Sequence, residues 1–154
     1  MSMKFQPGPV PILSLIVLIG WSIWFFATVE TRRITSVITR IEAAVEAEDT
    51  AGCIGWLASD YSDAYGYGPS DVRDVLNDVF RAMDDITVTI LNVDIAHGDN
   101  SEIVAVDFRV VGTLENGMRG YVMGNPQHPA RIVVRMRRAG TWQIHHVERI
   151  QAGY

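Results

Sequence analysis

The chain is short of cysteine, short of positive charge across its middle, and free of charge over a long run near its start. Cys53 is the only cysteine. One thiol closes no intramolecular disulfide and builds no cysteine-based metal cluster. Set among Ile54, Trp56 and Leu57, it reads as a small buried hydrophobe. Internal repeats and low-complexity tracts are absent too. Residue 2 is Ser and not Gly, which excludes amino-terminal myristoylation.

Positive charge is scarce from Ile41 to Phe108, where fifteen acidic residues meet only Arg73 and Arg81. From Arg109 onward the balance reverses, with seven arginines against Glu115 and Glu148. Such a split makes a dipolar domain. It argues against nucleic-acid binding, since most of the surface repels phosphates.

No charged side chain lies between Val10 and Val29. Twenty residues at about 1.5 Å each make roughly 30 Å of helix, the thickness of a bilayer's hydrocarbon core. Pro7, Pro9 and Pro11 mark its start. Trp21, Trp24, Phe25 and Phe26 gather toward its far end, where aromatic rings favour the headgroup zone. A cleaved signal peptide needs small residues before the cut, and Trp24, Phe25 and Phe26 are too large. The expectation is therefore a tail and membrane anchor over residues 1–30, contacting the bilayer through 10–29, and one domain over 31–154. Lys4 and the chain terminus face Arg32, Arg33 and Arg40 across the run, which leaves the orientation open.

After the run, Ile34, Val37, Ile38, Ile41, Ala44 and Val45 repeat at helical spacing. Asp49 or Thr50 caps a short second helix reaching Leu57. An aromatic, Gly-rich stretch with Tyr61, Tyr65 and Tyr67 comes next. Ser70 then caps a third helix, with Val72, Val75, Leu76, Val79, Phe80 and Met83 on one stripe. Beyond Asp85 the period changes to two. Strands are expected over 87–95, 102–111, 131–138 and 141–150, with a turn at His97-Gly98-Asp99-Asn100 and a long connection over 115–129. Helices first, then an antiparallel meander with one apolar face, give an α+β domain.

Three stretches resemble the nuclear transport factor 2-like superfamily: Ala47 to Tyr61, Gly98 to Val106, and Gly140 to Ile150 with its Trp142-x-Ile144 pair. The resemblance implies a cone of three helices packed on a curved antiparallel sheet of about four long strands. It says little about activity, because the superfamily holds enzymes, binding proteins and scaffolds. Its membrane-anchored members carry the domain outside the cytoplasm, which implies that side here.

Alternation along the last strand puts Trp142, Ile144, His146 and Glu148 on one face. If Trp142 faces the core, His146 and Glu148 point into the cone, where an imidazole beside a carboxylate suits a general base and its orienting partner. The bland alternative is a hydrogen-bonded pair near the sheet's end. Trp56, Tyr61, Tyr65, Tyr67, Phe80, Trp142 and His146 are the candidate pocket residues. His145 and His146 are strand neighbours that face opposite ways, and His97 and His128 are far apart in sequence, so no metal and no cofactor is expected. Arg109, Arg131, Arg135 and Arg137 alternate outward, with Asp107 the one acid among them. They form either a solvated face or a docking face for an acidic protein partner. That face lacks the apolar area for a tight sheet-to-sheet homodimer. The leading expectation is a membrane-anchored, non-catalytic interaction or assembly domain. The alternative is a small-molecule binder or enzyme using a pocket near His146 and Glu148.

Overall fold

The computed structural model describes residues 10–98 and 100–153, the side chains of 10–27 excepted. The chain divides into two compact units, Met1–Ile34 and Thr35–Tyr154. Helix α1 spans Val10–Glu46. The span expected over residues 10–29 falls mostly on side chains outside the described set. Among the described residues no helix is long and apolar enough to cross a membrane.

In the second unit, the end of α1 buries Val37 and Ile38. Helix α2 (Thr50–Ile54) is capped by Asp49, whose Oδ1 accepts the Gly52 N–H at 3.0 Å. Gly55 closes it, so it is shorter than its sequence suggests. The chain then enters strand β1 (Leu57–Asp63), not more helix. Helix α3 (Pro69–Ala82) starts at Gly68 and not at Ser70. Pro69 supplies the first-turn φ, and the Asp71 carboxylate accepts the Gly68 N–H at 2.8 Å. Strand β2 (Met83–His97) leaves α3 without a loop. Strands β3 (Glu102–Leu114), β4 (Arg119–Met123), β5 (Ala130–Ala139) and β6 (Thr141–Gln151) complete the unit.

The sheet has six strands in the order β1-β6-β5-β3-β2, with β4 beside the far half of β3. Four were expected. The fifth, β1, pairs parallel with β6. The sixth, β4, lies inside the expected long connection and pairs with Val110–Thr113.

The register defines one inner face. Val104 opposes Val134, Val106 opposes Ile132, and Phe108 opposes Ala130. Val104, Val106, Ala130, Val134, Met136 and Ile144 are buried there. Asp107 and Arg131 oppose each other on the outer face. The expected parity of β3 and β5 therefore holds.

Candidate functional site

The inner face is packed unevenly. Its deep positions are sealed, with Val104 and Met136 at 0 % exposure. Phe108, Val110, Ile132, Trp142 and Val147 are only half-buried. Helix α3 contributes its apolar stripe, including Leu76, Val79 and Phe80, yet buries none of its residues fully. Its stripe gives it the pattern of a core helix, but it is not packed shut. Tyr61, on β1, is buried at 6 % exposure. Burial, with the Asp63 charge adding to it, pushes its phenol up to about 12. It stays a neutral O–H at any ordinary pH.

His146 and Glu148 are not on this face. Two β-bulges in β6 turn them out. Met136 pairs with Ile144 and Arg135 with His146, so His145 is an extra residue. Val134 then pairs with Val147 and Val133 with Arg149, so Glu148 is extra as well. Each bulge shifts the alternation by one. Val147 takes the inward place that strict alternation gives to His146. His146 lies on the outer face, its Nδ1 2.7 Å from the Ser62 carbonyl oxygen. Glu148 accepts a hydrogen bond from the Arg135 Nε there. They do not form the expected dyad.

The other candidates scatter. Trp56 lies beneath Arg40, whose guanidinium carbon is 5.8 Å from the ring centroid. Trp142 stays with the inner face through its register with Arg138, and Phe80 is half-buried on α3. Tyr65 and Tyr67 are exposed in the β1–α3 loop, at 75 % and 49 %. Cys53 is buried, and burial, with Asp49 nearby, pushes its thiol up to about 11. A maleimide reagent at neutral pH is expected to label it far more slowly than an unfolded control.

On the outer face the arginines meet acids beyond Asp107. Arg131 bridges Asp107 at 3.1 Å and Asp94 at 3.3 Å. Arg135 pairs with Glu148, and Arg137 with Asp60. That hydrogen bond from Arg137 is the main reason the Asp60 carboxyl lies below its usual range. Arg109 stands opposite Thr89. The expected cationic face is therefore a lattice of ion pairs, because strands distant in sequence bring their own carboxylates to it.

His145 sits in this lattice. Burial lowers its pKa below the ordinary 6.5, and repulsion from Arg137 adds to that. The unfolded chain takes up the proton first, so the neutral ring contributes stability above 6.5 that is lost as pH falls toward the folded value. The melting temperature should drop between about pH 7.5 and about pH 5.5, and His145→Gln should flatten that slope.

A concavity, open and about 760 Å3, lies over the β2 bulge and is lined by Glu46, Asp85, Ile86, Thr87 and Arg119. Two of its charged groups, Glu46 and Arg119, have structural tasks. Glu46 accepts the Val88 N–H at 2.9 Å. Arg119 donates to the Asp85 carbonyl at 2.8 Å and to Thr87 Oγ1 at 3.0 Å, tying β4 to β2. Among the described residues no three His, Cys, Asp or Glu side chains are grouped to hold a metal ion.

No family model matches the chain, and no curated protein matches it in sequence. Solved structures do match in shape. A nuclear transport factor 2-like superfamily protein from Salmonella enterica superimposes with a TM-score of 0.68 at 15 % identity, over 84 % of this chain and 94 % of its own. A hexachlorocyclohexane dehydrochlorinase of type 2 gives 0.68 at 14 % identity, over 83 % and 88 %. A candidate scytalone dehydratase from Novosphingobium aromaticivorans gives 0.68 at 11 %, over 83 % and 90 %.

The fold is that of the nuclear transport factor 2-like superfamily. At these identities the likeness reaches no further than the fold, and chemistry rests on the chain's own residues. For this nuclear transport factor 2-like cone those residues are aliphatic and aromatic, with one buried phenol. Alternation in the sequence places Phe108 on the inner face, but it does not place Val147 there. Nothing in His145-His146-Val147-Glu148 announces a bulge, since neither bulged position is a glycine.

Proposed function

We propose that the domain binds a small, uncharged, largely apolar molecule on the inner face of its cone. The observation that carries this is the unsealed half of that face: Phe108, Val110, Ile132, Trp142 and Val147 half-buried above a fully packed floor. Pockets of this kind are mostly apolar, with a few polar groups that fix orientation. Tyr61 supplies a neutral hydrogen-bond donor, and Val110, Ile132, Trp142 and Val147 supply no charge. Dehydratase and dehydrochlorinase stand among the names of structurally similar proteins, which supports a small-molecule ligand over a purely structural role. With His146 and Glu148 outside the cone, the proposal is binding and not acid–base catalysis by that pair.

Titration of the full chain with 1-naphthol and with 1-naphthoate, followed by protein nuclear magnetic resonance, tests it. Saturable binding of the neutral compound, at least about tenfold tighter than the anion, is expected. Val147→Trp should fill the space and abolish it. Binding that ignores Val147→Trp, or prefers the anion, would sink the idea.

Attachment to a membrane through residues 10–29 belongs to the same proposal. Its support is the uncharged run alone. Resistance of the full chain to carbonate extraction is the check. The ion-paired outer face supports the absence of a tight sheet-to-sheet homodimer. Any association there should weaken as salt rises, because exposed charges are screened within about 8 Å at physiological strength. A sedimentation dimer unmoved by salt and by Arg135→Glu would contradict this.

A further inference from the structure

Tyr65 and Tyr67 have no part in the cone, yet the chain fixes them carefully. Tyr65 is the most exposed large apolar side chain among the described residues, at 75 %. The two rings lie with centroids 6.5 Å apart and planes at 43°. Asp63 builds the loop that carries them. Its Oδ1 accepts the Tyr65 N–H at 2.8 Å and the Tyr67 N–H at 2.9 Å. Its own N–H donates to the Tyr67 carbonyl at 3.2 Å, and its carbonyl accepts from Gly66 at 3.1 Å. Gly66 takes a positive φ of 85°, which closes the turn. The Ala64 N–H donates to the Val147 carbonyl at 3.1 Å and moors the loop to β6. A backbone held this way lowers the ordering cost of binding.

We propose that this loop binds a quaternary or methylated ammonium group against the faces of Tyr65 and Tyr67. Aromatic faces are negative, and a cation within about 6 Å of a ring centroid is attracted to them. Ring centroids 6.5 Å apart let one cation meet both rings at that range. The surrounding charge selects the same sign. No arginine lies between Arg40 and Arg73, and the acids next to the loop favour a cation over an anion. The carboxylates that flank it, Asp63 at the end of β1 and Asp71 in the first turn of α3, add to that field. A methylated ammonium suits an exposed pair better than a lysine does. A bare ammonium is a compact, strongly hydrated charge. A methylated one sheds water more readily and lays its methyl groups on the rings.

The test uses the full chain in dodecyl maltoside micelles with labelled tyrosine rings, titrated with choline chloride. Its neutral isostere, 3,3-dimethylbutan-1-ol, and glycerophosphocholine are the comparison ligands. Choline should shift the Tyr65 and Tyr67 signals saturably, with a dissociation constant on the order of millimolar. The isostere should bind at least about tenfold more weakly, because it lacks the charge. Tyr65→Phe keeps a π face and should retain choline. Tyr65→Leu keeps apolar area without a π face and should weaken it about tenfold or more. At 75 % exposure neither change threatens the fold. Tighter binding of choline than of glycerophosphocholine assigns a free ammonium ligand, and the reverse order assigns a phospholipid headgroup. Equal binding of choline and its isostere would overturn the proposal. So would unchanged binding in Tyr65→Leu, or no saturable shift.

Discussion

Gly124→Ala is expected to destabilise the domain by roughly 3 kcal/mol, which is a large share of the total stability of an ordinary domain. Gly124 has a φ of +63°, in the region that L side chains adopt at a cost. A methyl group there would meet the Ala130 nitrogen at 2.5 Å and the Phe108 carbonyl oxygen at 2.8 Å. Both are backbone atoms of sheet strands, so neither can swing aside. The left-handed conformation costs about 1–2 kcal/mol, and overpacking a tight site adds about 1–3 kcal/mol. Gly140 makes the control. Its φ is +76° but nothing lies within 4 Å of the added methyl, so Gly140→Ala should show the conformational part alone, about 1 kcal/mol. Urea denaturation of both variants separates the two contributions. Equal losses would mean that the strand ends beside Gly124 yield more than the structure implies.

Met136→Ala should cost about 2–5 kcal/mol, the range for emptying a fully packed site. Met136 has no exposure and lies in register between Glu102 and Ile144. Trp142 is the larger side chain and the more conspicuous in the sequence. Being only half-buried, it should lose less on truncation, roughly 2 kcal/mol, than a fully buried tryptophan would. The order matters for function. The packed floor should govern the melting temperature, and under the proposed function Trp142 should govern binding. If Trp142→Ala proved more destabilising than Met136→Ala, the upper half of the inner face would be core and not pocket.

Much of this arrangement is legible in the residues. The stripe from Val72 to Phe80 marks α3, although its expected last member, Met83, opens β2, and alternation through Val104 and Val134 marks the inner face. Each of those signals is local. The features that escape are non-local or silent. Leu57-Ala-Ser-Asp-Tyr-Ser-Asp63 is too polar to announce a strand, and its partner β6 comes after every other strand of the sheet. Arg119-Gly-Tyr-Val-Met123 is short and bracketed by turn residues. The bulges in β6 decide which side chains enter the cone, and they arise from pairing with β5 and not from any residue of their own. Alternation alone therefore places the dyad inside when the sheet places it outside. The acids that neutralise Arg131, Arg135 and Arg137 come from β1, β2, β3 and β6, and only Asp107 sits close enough in pattern to be guessed.

The parallel pairing of β1 with β6 has a consequence for how the molecule is made. Leu57 leaves the ribosome before any other strand of the sheet, but its partner Ile144 emerges after all the rest. Strand β1 has no other neighbour in the sheet. The nascent chain must therefore carry β1, with the buried Tyr61 on it, unpaired until β6 has been synthesised. The sheet closes by a long-range step of the kind that slows folding. Until then the aliphatic inner strands lack their last neighbour, β6, and that interval is when a holding chaperone would be needed.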